Sequence, residues 1–247
     1  MFLVWIALGI VSGIGSGLFG IGGGTIILPT LMLMGYDIQY AIGISMVQMI
    51  FASFVGSYIN YKKGLIPLRN GIILGFGGMI GSSLSGPIVQ FLGSLWLNIA
   101  FLCCTFISFY KYFFTQPKHT STARVSQPTQ LLILWLAGIL TGMFSSSLGI
   151  GGGLILVPIL GYFLGLDSKK AVPLSLFFIA LSSISGALSL YHSGFVHLQT
   201  GIIIGLCSAI GVLLGLTIAS RITSKTHKTL LLFVYLFAII STSFKLF

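Results

Sequence analysis

The fold class this sequence predicts is an all-α polytopic membrane protein made of two inverted repeats, each a glycine-broken helical hairpin followed by three transmembrane helices. Three observations point there. Of 247 residues, 56% are hydrophobic and 6% charged, with mean hydropathy +1.10; soluble domains carry about 25% charged residues, so no single globular core hides such a chain. Uncharged apolar runs longer than the roughly 18 residues that mark a membrane helix recur along it. Finally, Gly20-Ile21-Gly22-Gly23-Gly24 followed by Pro29 returns as Gly149-Ile150-Gly151-Gly152-Gly153 followed by Pro158, and eight of the twelve aligned positions in 20–31 and 149–160 are identical.

The first apolar stretch, 2–34, would make a straight helix of about 50 Å, too long for a hydrocarbon core of about 30 Å. It must break where glycines accumulate, since each costs a helix about 1 kcal/mol relative to alanine. The expected elements are a helix over 2–18, an irregular glycine turn, and a short helix near 25–34 whose first turns Pro29 disturbs. A polar loop, 35–40, leads into a helix over 41–60 that carries Ser45, Gln48, Ser53, Ser57 and Asn60. Beyond the loop with Lys62, Lys63, Pro67 and Arg69, a glycine-rich helix runs over 70–92, followed by a turn at Gly93-Ser94 and a helix over 95–113. Gly71, Gly75, Gly78 and Gly81 suit close helix contact.

A basic, Ser/Thr-rich segment with Pro117, Lys118, Arg124 and Pro128 divides the chain. It gives a first transmembrane repeat over 1–114, a basic cytoplasmic linker over 115–129 and a second transmembrane repeat over 130–247. The second half repeats the first at an offset of 129 to 130: Gly35 and Asp37 return as Gly165 and Asp167, Ser45 as Ser175, Gly56 as Gly186, and Tyr61 and Gly64 as Tyr191 and Gly194. With the loops 61–69, 111–128, 168–170 and 221–228 in the cytoplasm, eleven of the twelve Lys and Arg obey the positive-inside rule and Lys245 alone does not. That assignment requires 2–34 and 131–164 each to return to the side they left. Each half is then a hairpin plus three crossings, so the halves are inverted and both termini lie outside. The first twenty residues lack a basic n-region and are read as mature structure.

The net charge of +10 is scattered through short loops, which argues for topology and against nucleic-acid binding. Cys103, Cys104 and Cys207 lie in apolar runs without metal-ligand spacing and read as small packing residues. No Ser-His-Asp set, His-Glu-x-x-His or paired-Cys motif is present, and Asp37 and Asp167 are the sole carboxylates. An enzyme, a metal site and a cofactor are therefore not expected.

The paired Gly-Ile-Gly-Gly-Gly motifs in a duplicated hydrophobic chain of this size resemble the TauE/SafE family of membrane transporters. The resemblance covers nearly the whole chain. It implies a permease in a bacterial inner membrane for sulfite, sulfonates or related sulfur-containing or organic anions. The copies differ, however: Ser16-Gly17-Leu18-Phe19 stands against Ser145-Ser146-Ser147-Leu148.

Inverted repeats with broken helices place a small anionic substrate near the bilayer midplane, where half-helix N-termini present backbone N–H groups and a positive dipole end. The candidate substrate site is accordingly Gly22, Gly23, Gly24 and Thr25 facing Gly151, Gly152 and Gly153, with hydroxyls from Ser145, Ser146 and Ser147. Ser16 is placed as they are, and any of these hydroxyls can instead bond back to its own helix. Gln48, whose repeat partner is Phe178, should face the bundle interior as a substrate contact or an interhelical hydrogen bond. Asp37 and Asp167 read as helix caps, and His192 and His197 as residues of an outer loop. A carrier for another metabolite or cation and a non-transporting membrane subunit are the alternatives. The first lacks intramembrane carboxylates, and the second gives no reason for duplicated glycine breaks.

Overall fold

The computed structural model describes residues 2–114, 127–164 and 168–246. Expectations for Pro117, Lys118, Arg124, Gly165 and Asp167 fall outside them. The described residues form ten helices and no strand. α1 (Phe2–Phe19) and α2 (Gly24–Leu33) are parted by the first glycine turn; α6 (Gln127–Ser147) and α7 (Gly153–Leu164) are parted by the second. Both breaks use backbone that L side chains disfavour, with φ of +67°, +80° and +79° at Gly20, Gly22 and Gly23 and of +62° and +73° at Gly149 and Gly151. Pro29 sits inside α2, which runs on through it, with the Thr30 hydroxyl bonded back to the Ile26 carbonyl at 2.7 Å. The expected disturbance of the first turns is thus confined to a missing N–H.

α3 (Ile38–Lys62) and α8 (Ser168–His192) form the centre, flanked by α4 (Leu68–Ser82), α9 (Leu198–Arg221), α5 (Ser85–Phe114) and α10 (Ser224–Leu246). Among the described residues, α1, α3, α5, α6, α8, α9 and α10 contain stretches long and apolar enough to cross a membrane. Asp37 holds the N-cap position of α3, but its side chain makes no capping bond; the Ala41 N–H closes onto its carbonyl instead.

The continuous helix expected over 70–92 is interrupted at Ser83-Leu84, and Gly93, with φ +67° and ψ +174°, adds the kink that the sequence does announce. Pro87 explains the first interruption. It has no N–H to give the Ser83 carbonyl one turn back. The Ser189 hydroxyl of α8 donates to that carbonyl at 2.6 Å and accepts the Gly86 N–H at 2.9 Å, while the Ser185 hydroxyl donates to the Met79 carbonyl at 2.7 Å.

Glycines set the helix pairs. α1 and α9 lie side by side in the same direction: Gly9 faces Ile204 and Cys207, Gly13 faces Ser208, and Gly17 faces Val212 and Gly215. α4 and α6 do likewise, with Gly77 on Trp135 and Gly81 on Ile139, so that backbones touch backbones. α3 and α8 run in opposite directions, Gly56 meeting Leu176 and Gly186 meeting Met46, whereas α3 and α9 agree, Gly201 meeting Val47 and Gly205 meeting Phe51. The end of α3 with Lys62, the start of α8 and the end of α9 with Arg221 therefore share one face, here the basic face. At the opposite face, Tyr36, Tyr40, Phe195 and His197 gather.

Candidate functional site

The two glycine turns meet at the centre of the molecule. The Gly22 Cα lies where a side chain on Gly151 would reach it at 3.1 Å, and a side chain on Gly24 or Gly153 would run into the Gly149 or Gly20 carbonyl. Glycine is required at these positions because one backbone packs directly on the other. Two serines at equivalent repeat positions tie the turns together: Ser45 donates to the Gly149 carbonyl at 3.0 Å and Ser175 to the Gly20 carbonyl at 2.6 Å. The sequence shows this pair only as a repeat match. In the folded chain, each serine holds the turn of the other half.

Helix starts follow from the turns. Ile26 and Ile27 both direct their N–H groups to the Gly23 carbonyl, as Ile155 and Leu156 do to the Gly152 carbonyl. The amides of Gly24 and Thr25, and of Gly153 and Leu154, are then first-turn donors without a partner inside their helices. Gly23 takes the N-cap position of α2 without a side-chain cap, so the positive end of that dipole stays uncompensated.

Around the first turn, polar atoms collect without partners. Gln48 is fully buried and neither Oε1 nor Nε2 makes a hydrogen bond; Nε2 lies 3.2 Å from where a Gly23 Cβ would be. The hydroxyls of Ser16 and Thr25 are equally buried and equally unpaired. Met49, one residue along α3, covers Gly22 and Gly24 with its thioether. The second turn differs chemically: the Phe178 ring stands over Gly152 where the first turn has the Gln48 amide. Ser146 pairs with the Ser82 hydroxyl at 2.7 Å and Ser147 bonds back to the Met143 carbonyl at 2.7 Å, while the Ser145 carbonyl receives the Ile150 N–H.

Of the residues singled out in sequence, the structure brings Gly22, Gly23, Gly24, Gln48, Gly151, Gly152 and Gly153 to one place. The backbones touch there, so no anion fits between Gly22 and Gly151 in this conformation. Sequence reasoning missed Met49, whose signal was its place beside Gln48, and His227, buried on α10 with Nε2 2.8 Å from the Leu18 carbonyl.

A family model described as "Sulfite exporter TauE/SafE" matches residues 5–242. A probable membrane transporter protein of Bacillus subtilis, YunE, is 29% identical, with 91% of each chain covered. A probable membrane transporter protein of Methanocaldococcus jannaschii is 27% identical over 92% of this chain and 89% of its own. A further one, of Haemophilus influenzae, is 31% identical over 78% of this chain and 74% of its own. No solved structure matches significantly. With these relatives and its apolar spans, the chain is a multi-pass membrane protein.

Proposed function

Because the chain belongs to the sulfite exporter TauE/SafE family, we propose that it is a secondary permease for small anions such as sulfite or sulfonates, which it binds at the N-terminus of α2 and exports. One observation carries this reading: the Gln48 amide, fully buried and bonded to nothing, lies beside the uncapped first turn of a half-helix. A buried polar group without a partner costs about 1 to 3 kcal/mol, and native proteins keep few of them. An oxyanion lying against Gly23 to Thr25 would accept from the amides of Gly24 and Thr25, from Gln48 Nε2 and from the Ser16 and Thr25 hydroxyls. Gly151 to Gly153, which touch the first turn in this conformation, would make the opposite wall once the two turns part, with Ser145, Ser146 and Ser147 behind them. No cofactor or metal enters this reading.

The two halves act as inverted repeats in this proposal. In support, contacts come in matched pairs: α1 with α9 and α4 with α6, Ser45 to Gly149 and Ser175 to Gly20, Gly24 on Gly149 and Gly153 on Gly20.

With half-helix dipoles in place of fixed positive side chains, the anion is held weakly enough to leave. Of the two carboxylates in the sequence, Asp37 stands at the N-cap of α3, outside the helix interior, and Asp167 is its repeat equivalent, which favours an anion crossing alone over a carboxylate-based cation carrier. An inside-negative potential then drives export, worth about 2.3 kcal/mol per charge per 100 mV, or roughly a fifty-fold gradient. Proteoliposomes loaded with sulfite and given potassium-diffusion potentials of either sign at constant pH test this. Efflux should follow the sign of the potential. Efflux that ignores it and tracks a proton or sodium gradient overturns the mechanism.

A further inference from the structure

A cavity of about 120 Å³ opens at the basic face, about ten times what one water needs. The exposed Lys63 and the buried Asn60, Gly17, Val172, Pro173 and Leu216 line it. Its inner end abuts the first glycine turn, since a side chain on Gly20 would reach the Val172 Cα at 3.0 Å. Asn60 is 3% exposed and gives one Nδ2 hydrogen to the Gly56 carbonyl at 2.8 Å, leaving a second for the cavity. Lys62 holds its ammonium over the Tyr58 ring at 4.8 Å, so Lys63 is the charge assigned to the opening.

From Asn60 inward, α3 presents Ser57 and Ser53 on one face at i,i+3 and i,i+4 steps, while Gln48, about 18 Å from Asn60 along the axis, lies about 140° round the helix from Ser53. All three are buried, and the Ser57 hydroxyl, like Gln48, has no partner. The serines stop one turn short of Met49, whose thioether covers Gly22 and Gly24 of the first glycine turn.

At the opposite face the equivalent positions are shut. Val172 and Pro173 correspond to Ile42 and Gly43, and Leu65, which also lines the cavity, to Phe195. Gly43 packs directly on the Phe195 carbonyl, Tyr40 lies 6.0 Å from the Phe195 ring and 4.9 Å from His197, and Gln39 bonds the Val89 carbonyl at 3.1 Å. The same inner contact recurs there, a side chain on Gly149 meeting the Ile42 Cα at 3.1 Å.

We infer that the cavity at the basic face is the entry vestibule for small oxyanions, recruited by the Lys63 ammonium and the Asn60 amide, and that the aromatic face is the closed gate of the same path. This rests on the anion-permease reading. Exchanging the two conformations, so that Pro173 and Leu65 close together while Gly43 and Phe195 part, turns the site to the other side.

The test replaces Cys103, Cys104 and Cys207, then introduces Val172→Cys in the cavity, Ser220→Cys at its rim or Ile42→Cys at the repeat-equivalent position. Each protein in sealed vesicles meets the anionic sulfonatoethyl or the cationic trimethylammonioethyl methanethiosulfonate from one face at a time. Val172→Cys and Ser220→Cys should react from the Lys63 face alone, about fivefold faster with the anionic reagent, and Lys63→Gln should bring the two rates together. Equal rates with Lys63 in place overturn the anion vestibule, and Ile42→Cys reacting as fast from the other face overturns the closed gate. Sulfite efflux from proteoliposomes of the otherwise unaltered protein is read in parallel, so its absence counts against the permease reading, whereas lost charge preference counts against the vestibule.

Discussion

A primary amide offers two donor hydrogens and one acceptor oxygen, and Gln48 brings all of them into a fully buried place where none is used. Its repeat partner Phe178 shows what packing alone would accept at that position, since the ring fills the space over Gly152 without any polar demand. Gln48→Leu should therefore leave the fold as stable or stabilise it by about 1 kcal/mol. Transport should nonetheless fall by about ten- to a hundred-fold, the equivalent of losing a hydrogen bond of about 1.5 to 3 kcal/mol to a charged group. Thermal unfolding in detergent read beside sulfite flux separates the outcomes: unchanged flux in a stable Gln48→Leu protein would make the amide a bystander. Gln48 was legible in the sequence as a glutamine in the middle of an apolar span. Ser45 and Ser175 were visible only as a repeat match, because their acceptors lie 104 and 155 residues away and backbone carbonyls leave no mark in composition.

At the scale of the element, both broken hairpins were legible because glycine clusters and an excess of apolar length force a break. The interruption of α4 at Ser83-Leu84 was not, since the carbonyl that Pro87 strands is satisfied by a hydroxyl 106 residues further on. Pro87 was its trace in the sequence, but the row Ser182, Ser183, Ser185 and Ser189 in α8 does not announce which serine answers it, and two of those serines bond their own helix. Ser189→Ala removes the donor to Ser83 and the acceptor for Gly86, and should destabilise by about 1 kcal/mol, the modest scale that polar contacts reach in membranes. Adding Pro87→Ala gives the Ser83 carbonyl an N–H again and should recover part of the loss. A double-mutant cycle in detergent unfolding reads the coupling; two additive losses would mean that Ser189 does not support the break.

For the whole molecule, the antiparallel course of α3 and α8 puts the end of α3 at Lys62 and the start of α8 at Ser168 at one face. Single cysteines beside Lys63 and Lys170 should label from the same, cytoplasmic side although the two lysines occupy different positions in their repeats; labelling from opposite sides would exclude the inverted arrangement. Basic loops pointed to a shared face for these helix ends, but which helices pair across the halves was not readable, because glycine is common in every span. The pairing that resulted has a consequence for biosynthesis. α1 rests its glycines on α9, and Gly13 meets Ser208, a residue made 195 positions later. At roughly 5 to 20 residues per second, α1 waits about 10 to 40 s for its partner, with a ridge of bare backbone turned to lipid or to the insertion machinery. A nascent chain stalled before α9 should then be a substrate for membrane quality control, however well its other helices have inserted.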